Sequence, residues 1–193
     1  MYDDDDDDQT AVPVGLVPVD GRGSMPFALL HGESLVAVAS WAVGEAGVRL
    51  LDFTAGWSEV QAQGGPLVIH DPLCPGTPVS FLREAVRVAV EGGTVVVGAR
   101  PVTDTVKDVD ANGVLGQTHD RAGLHAVASQ VVLPHAVIVA LPDLPNTDDL
   151  ADLVTALAEQ HEVVFLEAPP SARRVSDESD VHLLEALQDP AGP

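Results

Sequence analysis

The chain has 193 residues, 46% of them hydrophobic, so it is long enough for one domain with a substantial core and too apolar for a disordered chain. Its formal net charge is −21, and excluding the six aspartates Asp3–Asp8 still leaves −15, which disfavours nucleic acid as a partner. Cys74 is the single cysteine, which excludes an intrachain disulfide and a cysteine-rich zinc site. No apolar run reaches the ~18 residues of a membrane span, and the start of the chain is acidic where a signal peptide is basic. We therefore expect a cytoplasmic protein that does not bind membranes.

The two ends of the chain are predicted to lie outside the fold. Asp3–Asp8 is a block of like charge that repels itself and cannot pack. We expect residues 1–10 to form a disordered acidic tail, residues 11–188 to form a single domain, and residues 189–193 to form a short C-terminal tail.

The chain then opens with the pattern of a nucleotide-binding α/β unit. Val12–Val19 predicts a buried strand, a turn containing Gly21 and Gly23 follows, and Leu35–Gly44 predicts an apolar helix. Backbone N–H groups in such a glycine loop and at a helix N-terminus can bind phosphate, although a turn that merely connects two elements has the same composition.

The next segment places an acid at the end of a strand. Val48–Phe53 predicts a second strand, Gly56–Gly65 a loop, and Pro66–His70 a third strand that is followed directly by Asp71. Ligands of open α/β sheets bind beyond the carboxyl ends of the strands, so Asp71 is a candidate Mg²⁺ ligand. The alternative for a single aspartate at this place is a turn or a helix cap.

The middle of the chain predicts a projecting hairpin, which we call the arm. Val106–Val109 and Val114–Thr118 are β-branched runs on either side of Asn112-Gly113, a dipeptide that supplies the positive φ angles of a tight turn. The base of the arm is polar and could face a phosphate or only solvent. The polar residues are Thr103, Asp104, Thr105, Lys107 and Arg121.

The remaining elements complete an alternating pattern of strands and helices. It predicts a three-layer α/β sandwich, in which helices cover both faces of a mostly parallel sheet. The stretch 131–141 contains Pro134 and is consistent with either a strand or a helix. The other predicted elements are a helix over 77–90 capped by Thr77, a strand over 94–98, a short helix over 124–127, a helix over 148–160 capped within Asn146–Asp149, a strand over 162–166 and a closing helix from Ser176 or Asp177 to Leu187.

The residues at the base of the arm carry a family resemblance. Pro101-Val102-Thr103-Asp104-Thr105-Val106-Lys107, followed by Thr118-x-x-Arg121, resembles the 2-C-methyl-D-erythritol 4-phosphate cytidylyltransferase family of the non-mevalonate isoprenoid pathway. His70-Asp71 with Pro75 matches part of a second family motif, and Arg173-Arg174-Val175-Ser176 is similar to a third, with Arg174 in the place of its lysine. An adjacent arginine pair is otherwise typical of a solvated surface. The resemblance covers most of residues 12–188 and implies a Rossmann-like nucleotidyltransferase fold that dimerises through residues 105–118.

The resemblance also implies roles for individual residues. The substrates would be CTP and a small phosphorylated polyol, with Mg²⁺ bound by Asp71 and with Gly21 and Gly23 at the nucleotide. Arg22 and Arg174 would be catalytic and would neutralise phosphate charge. Substrate-binding residues on the arm would be Asp104, Thr105, Lys107 and Arg121.

Three departures from the family pattern shape the functional hypothesis. Phe27 stands where the family has a lysine, Cys74 replaces an arginine, and the segment that selects cytosine is not recognisable. We therefore predict a divergent homologue with weak or no catalysis that retains a phosphate ligand or a dimer-forming role. The alternatives are an active cytidylyltransferase and a non-catalytic structural partner of an intact one.

Overall fold

A computed structural model describes residues 11–52 and 55–188. The predicted tails over 1–10 and 189–193, and Phe53 at the end of the second predicted strand, lie outside the described residues. The strands are β1 (Val14–Leu16), β2 (Leu29–Leu30), β3 (Glu33–Ser34), β4 (Arg49–Leu50), β5 (Leu67–His70), β6 (Val95–Pro101), β7 (Val106–Val109), β8 (Leu115–His119), β9 (His125–Leu133) and β10 (Val163–Glu167).

Six of these strands form one sheet in the order β10-β6-β9-β5-β1-β4. β1 runs parallel to both β4 and β5, and β6 runs parallel to β10. β9 lies between β5 and β6 and is antiparallel to both. Five strands therefore share one direction, which confirms the mostly parallel α/β sheet.

Helices cover both faces of the sheet. Leu67 and Ile69 of β5 pack with the helices over 57–62, 135–140 and 150–158, whereas Val68 between them packs with the helices over 35–45 and 79–92 on the opposite face. This alternation follows from the two-residue period of a strand, and burial of both faces explains why β5 is apolar at consecutive positions. The helices are α1 (Leu35–Glu45), α2 (Trp57–Ala62), α3 (Val79–Gly92), α4 (His135–Ala140), α5 (Leu150–Ala158) and α6 (Glu178–Gln188).

Some local predictions are wrong. The predicted loop over 56–65 contains α2, and the predicted helix over 124–127 is the beginning of β9, because pairing with β6 outweighs the local pattern. Thr77 does not cap α3: its hydroxyl donates to Cys74 O at 2.7 Å, and Pro78 occupies the cap position. The undecided stretch divides at Pro134, with a strand before it and a helix after it.

The arm is a hairpin of β7 and β8 that forms its own two-stranded sheet. The loop between Asp110 and Val114 is closed by the Asp110 carboxylate, which accepts hydrogen bonds from the backbone N–H groups of Asn112 and Val114. Gly113 has φ +78°, but Asn112 does not have the positive φ that we expected, and Asp110 pairs with Val114 around a three-residue loop. The predicted hairpin itself is confirmed, and apart from half-buried Val106 its strand residues are exposed.

Candidate functional site

Asp71 lies at the carboxyl end of β5 and is only 5% exposed. Its Oδ1 accepts hydrogen bonds from Arg22 Nε at 2.8 Å and from Leu73 N at 3.0 Å. Its Oδ2 accepts a hydrogen bond from Arg174 Nε at 2.9 Å. The structure thus brings together the three residues predicted for metal binding and catalysis, and each carboxylate oxygen is bonded to a different arginine.

Arg22 is buried, and each of its three guanidinium nitrogens donates a hydrogen bond within the protein. Besides Asp71, its guanidinium donates to Asp20 O at 2.6 Å and to Thr147 O at 3.0 Å, and the residue is 6% exposed. The neighbouring Gly21 packs so closely that a Cβ at this position would lie 2.6 Å from Asp148 O. Arg22 therefore joins the first loop, the end of β5 and the segment before α5.

Arg174 is in a different environment, because its side chain is 45% exposed. Only its Nε is hydrogen-bonded, and within the described part of the chain its two terminal nitrogens have no partner. They can donate to a ligand in the adjacent cavity of about 300 Å³. The other polar side chains that line this cavity belong to Asp71, His125, Ser129, Asp148 and Asp149.

The two arginines determine the ionisation of Asp71. Burial by itself would raise the pKa of this carboxyl, but the charge of Arg22 and the hydrogen bonds from Leu73, Arg174 and Arg22 outweigh burial and hold the pKa below its usual range. Asp71 is therefore a carboxylate at neutral pH, and its charge is compensated inside the protein.

A second group of polar residues contacts the end of β5 around Ser129, a residue that the sequence analysis did not single out. Ser129 has φ +80°, and its carbonyl accepts hydrogen bonds from Asp71 N at 2.7 Å and from His70 Nδ1 at 2.8 Å. Its own N–H donates to Cys74 Sγ at 3.1 Å. No local sequence signal predicts a serine in this left-handed conformation, which arises where β9 pairs with the end of β5.

Burial keeps both His70 and Cys74 neutral. It lowers the pKa of His70 to about 4 and raises the pKa of the Cys74 thiol to about 12. Cys74 therefore serves as a small buried acceptor and not as a nucleophile.

The predicted magnesium site does not fit the donor set. Mg²⁺ needs oxygen ligands in octahedral geometry, whereas both oxygens of Asp71 already accept hydrogen bonds from cationic side chains. Over residues 11–52 and 55–188, no group of three or more His, Cys, Asp or Glu side chains is arranged to hold a metal ion.

The predicted phosphate loop has the expected backbone but a different continuation. Gly21 and Gly23 have φ +74° and +58°, and there is open space beside Gly23. The loop continues into a short 3₁₀ turn and the β2–β3 hairpin, and α1 begins only after Ser34, whose hydroxyl accepts from Ala37 N. The loop therefore does not point an α-helix N-terminus at a ligand.

The arm residues predicted to bind substrate do not lie at this cavity within one copy of the chain. None of the residues predicted to bind substrate on the arm lines the cavity beside Arg174, and all of them are exposed. The Arg121 guanidinium donates to Thr103 O within the base of the arm. Those residues are Asp104, Thr105, Lys107 and Arg121.

Residues 55–164 match the model of the 2-C-methyl-D-erythritol 4-phosphate cytidylyltransferase family. A protein of that name from Nocardia farcinica is 37% identical over 127 residues, which is 65% of this chain and 54% of the relative. One from Corynebacterium glutamicum is 30% identical over 172 residues, which is 86% of this chain and 64% of the relative. The chain thus spans between half and two thirds of the length of these relatives.

Solved structures agree in fold. The crystal structure of the cytidylyltransferase from Thermus thermophilus gives a TM-score of 0.65 at 19% identity, covering 91% of this chain and 98% of that one. The crystal structure of 4-diphosphocytidyl-2C-methyl-D-erythritol synthase from Anaerococcus prevotii gives 0.62 at 13% identity, covering 92% and 96%. In the described part of the chain, no helix combines the length and apolarity needed to cross a bilayer. Because the family match extends over more than half of the chain, the predicted resemblance is confirmed, and the chain belongs to the 2-C-methyl-D-erythritol 4-phosphate cytidylyltransferase family.

Proposed function

We propose that this chain is a divergent member of its family, which binds a small phosphorylated polyol and transfers a cytidylyl group weakly or not at all. The observation that carries the proposal is the pairing of Arg22 with Asp71. In an active enzyme, Arg22 would neutralise the triphosphate and Asp71 would bind its metal ion. Here the two side chains neutralise each other in the protein interior.

The cavity beside Arg174 suits a single phosphate better than a triphosphate. A guanidinium with two available terminal nitrogens can bind one phosphate group through paired hydrogen bonds. Asp148 and Asp149 also line the cavity, so that with Asp71 its lining contains three carboxylates beside the guanidinium of Arg174. Carboxylates accept hydrogen bonds from hydroxyl groups, which a polyol supplies, but they repel the several negative charges of a nucleoside triphosphate.

The test is pyrophosphate release from CTP and methylerythritol phosphate with Mg²⁺, paired with thermal unfolding in the presence of each ligand. We expect turnover at or only slightly above the protein-free rate, together with stabilisation by methylerythritol phosphate. Arg174→Ala should lose this stabilisation, whereas Arg87→Ala, which removes an exposed arginine of α3, should keep it. Clear turnover by the wild-type chain would overturn the proposal.

An active cytidylyltransferase is the second candidate, and family membership favours it. In that reaction a phosphate oxygen of methylerythritol phosphate attacks the α-phosphorus of CTP, the bond to the β-phosphate breaks, and pyrophosphate leaves. Arg174 would hold the attacking phosphate, and Arg22 would have to leave Asp71 to reach the triphosphate. Turnover that is lost in Asp71→Asn, with the fold checked by circular dichroism, would establish this candidate.

The arm supports a proposed homodimer formed through residues 105–118. Val109, Val114 and Leu115 are 61%, 62% and 66% exposed, and a two-stranded hairpin is marginally stable alone. In the dimer, Thr105 and Arg121 would reach the polyol phosphate bound by the partner subunit. Leu115→Glu should convert a dimer into a monomer in light scattering, whereas Val90→Glu on exposed α3 should not, and a monomeric wild-type chain would contradict the proposal.

A heterodimer is the third candidate, because the same apolar arm could pair with an intact cytidylyltransferase. It predicts that the two proteins purify together and that the activity of the intact enzyme falls when this chain carries Arg121→Ala. Unchanged activity would exclude it.

A further inference from the structure

We infer that the Arg22 guanidinium fills the position beside Asp71 that a divalent cation would take, so that the cavity binds a single phosphate group through Arg174 without a divalent cation. The inference rests on the proposed function, because it concerns the same cavity and the same ligand class. It assigns Arg22 a positioning role, whereas the sequence suggested direct contact with substrate.

Arg22 is a permanent part of the site. Arginine stays protonated at any physiological pH, and this side chain is buried with a hydrogen bond from each guanidinium nitrogen. Its acceptors lie on three separate segments of the chain, at Asp71, Asp20 and Thr147. Moving it out would leave a buried carboxylate and two backbone carbonyls without their partner, which is costly.

Asp71 leaves a metal at most one acceptor position, on Oδ2. Oδ1 receives one N–H from Arg22 and one from the Leu73 backbone, and Oδ2 receives one from Arg174. A divalent ion at either oxygen would also lie next to a guanidinium of the same sign. The two arginines already supply the positive charge that a metal would bring.

The neighbouring acids do not provide a replacement set of ligands. Asp149 Oδ1 caps α5 by accepting from Ala151 N at 2.7 Å. Asp148 and Asp149 line the cavity with Asp71, yet no three acidic or imidazole groups in the described ranges are arranged as metal ligands. Arg174, whose terminal nitrogens have no partner among the described residues, is therefore the group in the cavity that is best suited to bind an anion.

The experiment titrates inorganic phosphate into the full chain and follows thermal unfolding, once with EDTA and once with excess Mg²⁺. The acidic segment Asp3–Asp8 can bind cations by itself. The quantity compared is therefore the rise in unfolding temperature that phosphate causes at a fixed concentration of EDTA or of Mg²⁺. We expect the same apparent Kd in both conditions. Arg174→Ala should weaken binding about tenfold or more, as expected for loss of a charge-assisted hydrogen bond, and Arg87→Ala should not change it.

A second variant tests the role of Arg22 directly. Arg22→Gln keeps a hydrogen-bond donor but removes the charge and frees room at Asp71, so phosphate binding should become stronger with Mg²⁺ than with EDTA. If this variant does not fold, the wild-type comparison still decides the question.

Phosphate binding that requires Mg²⁺ in the wild type, phosphate binding that survives Arg174→Ala, or no phosphate binding in either condition would overturn the inference. Mg²⁺-dependent binding without pyrophosphate release would overturn only the inference. Mg²⁺-independent binding together with CTP turnover would overturn only the proposed function.

Discussion

The carboxyl end of β5 and the arm both carry charged residues, but their charges are stabilised differently, by partners in the protein interior at β5 and largely by solvent in the arm. At the end of β5, the buried Asp71 carboxylate accepts hydrogen bonds from two arginines and from the Leu73 backbone, and the Asp71 N–H donates to the Ser129 carbonyl. In the arm, Asp108 pairs with His119 at 2.5 Å, and both side chains are at least half exposed. Charged residues are thus part of the interior in one region and solvated in the other.

This difference indicates which region is built for stability and which for contact. The end of β5 is connected to the first loop and to the segments before α5 and before α6, so its geometry is fixed by the whole fold. The arm is held together by its own turn and ladder and by the contact of Arg121 with Thr103 O at its base, and its apolar side chains are exposed. Its partner must come from outside the chain if it is to be buried.

The largest expected effect comes from removing the shared carboxylate. Asp71→Ala leaves the Arg22 guanidinium buried without its counter-ion and should lower the free energy of unfolding by about 3–5 kcal/mol. Asp108→Ala in the arm removes an exposed pair and should cost about 0–1 kcal/mol. Urea denaturation of both variants measures the contrast, and equal losses would show that the two regions are not distinct.

Two glycines with nearly the same φ give a matched pair of substitutions. At Gly21 an added Cβ meets the backbone of Asp148, so Gly21→Ala should cost about 2–4 kcal/mol, from the left-handed backbone plus overpacking. At Gly113 the surrounding space is open, so Gly113→Ala should cost about 1 kcal/mol. Denaturant titrations of the two variants compare them, and a larger loss at Gly113 would contradict the close packing at Gly21.

Acid should weaken the interior region through His70. Its pKa falls from about 6.5 in the unfolded chain to about 4 in the fold, because complete burial disfavours the charged ring by more than the hydrogen bond to Ser129 O and the charge of Asp71 favour it. Protonation would also place a second N–H at buried Nε2, which has no partner among the described residues. The unfolded state therefore binds the proton first, and stability decreases as the pH falls from 6.5 towards 4. Between pH 7 and pH 5 the loss should be about 2 kcal/mol.

His70→Asn is the control for this pH dependence. Denaturation of the wild type and the variant at both pH values should show the acid-induced loss only in the wild type. An equal loss in the variant would assign the pH dependence to other groups.

The sequence predicted the sheet and the residues at the end of β5, and the predictions that were wrong or missing have physical causes. Strand–helix alternation predicted the mostly parallel sheet, and the apolar runs of β5 and β6 indicated strands that are buried on both faces. The motifs correctly selected Asp71, Arg22 and Arg174 as neighbours. They could not show that these charges neutralise one another, because the contact joins positions 49 and 103 residues apart along the chain.

Ser129 and α2 were missed for a related reason. A left-handed serine is stabilised by bonds to the end of β5, which no local pattern encodes. The short helix α2 is supported by Trp57, whose indole donates to Leu141 O at 3.0 Å across the layer. Tertiary contacts decided both conformations.

The smallest expected effect is at the tip of the arm, and it tests whether the arm belongs to the cooperative fold. Leu115→Ser replaces an exposed side chain that packs on no core cluster, so at monomeric protein concentrations the free energy of unfolding should change by less than about 0.5 kcal/mol. Leu82→Ala in the buried face of α3 should cost about 2–5 kcal/mol in the same assay.

A loss at Leu115 that grows with protein concentration would mean that the arm is buried in a dimer, since association stabilises the folded state by mass action. A large loss that does not depend on concentration would instead show that the arm folds together with the sheet, and the contrast between the two regions would fail.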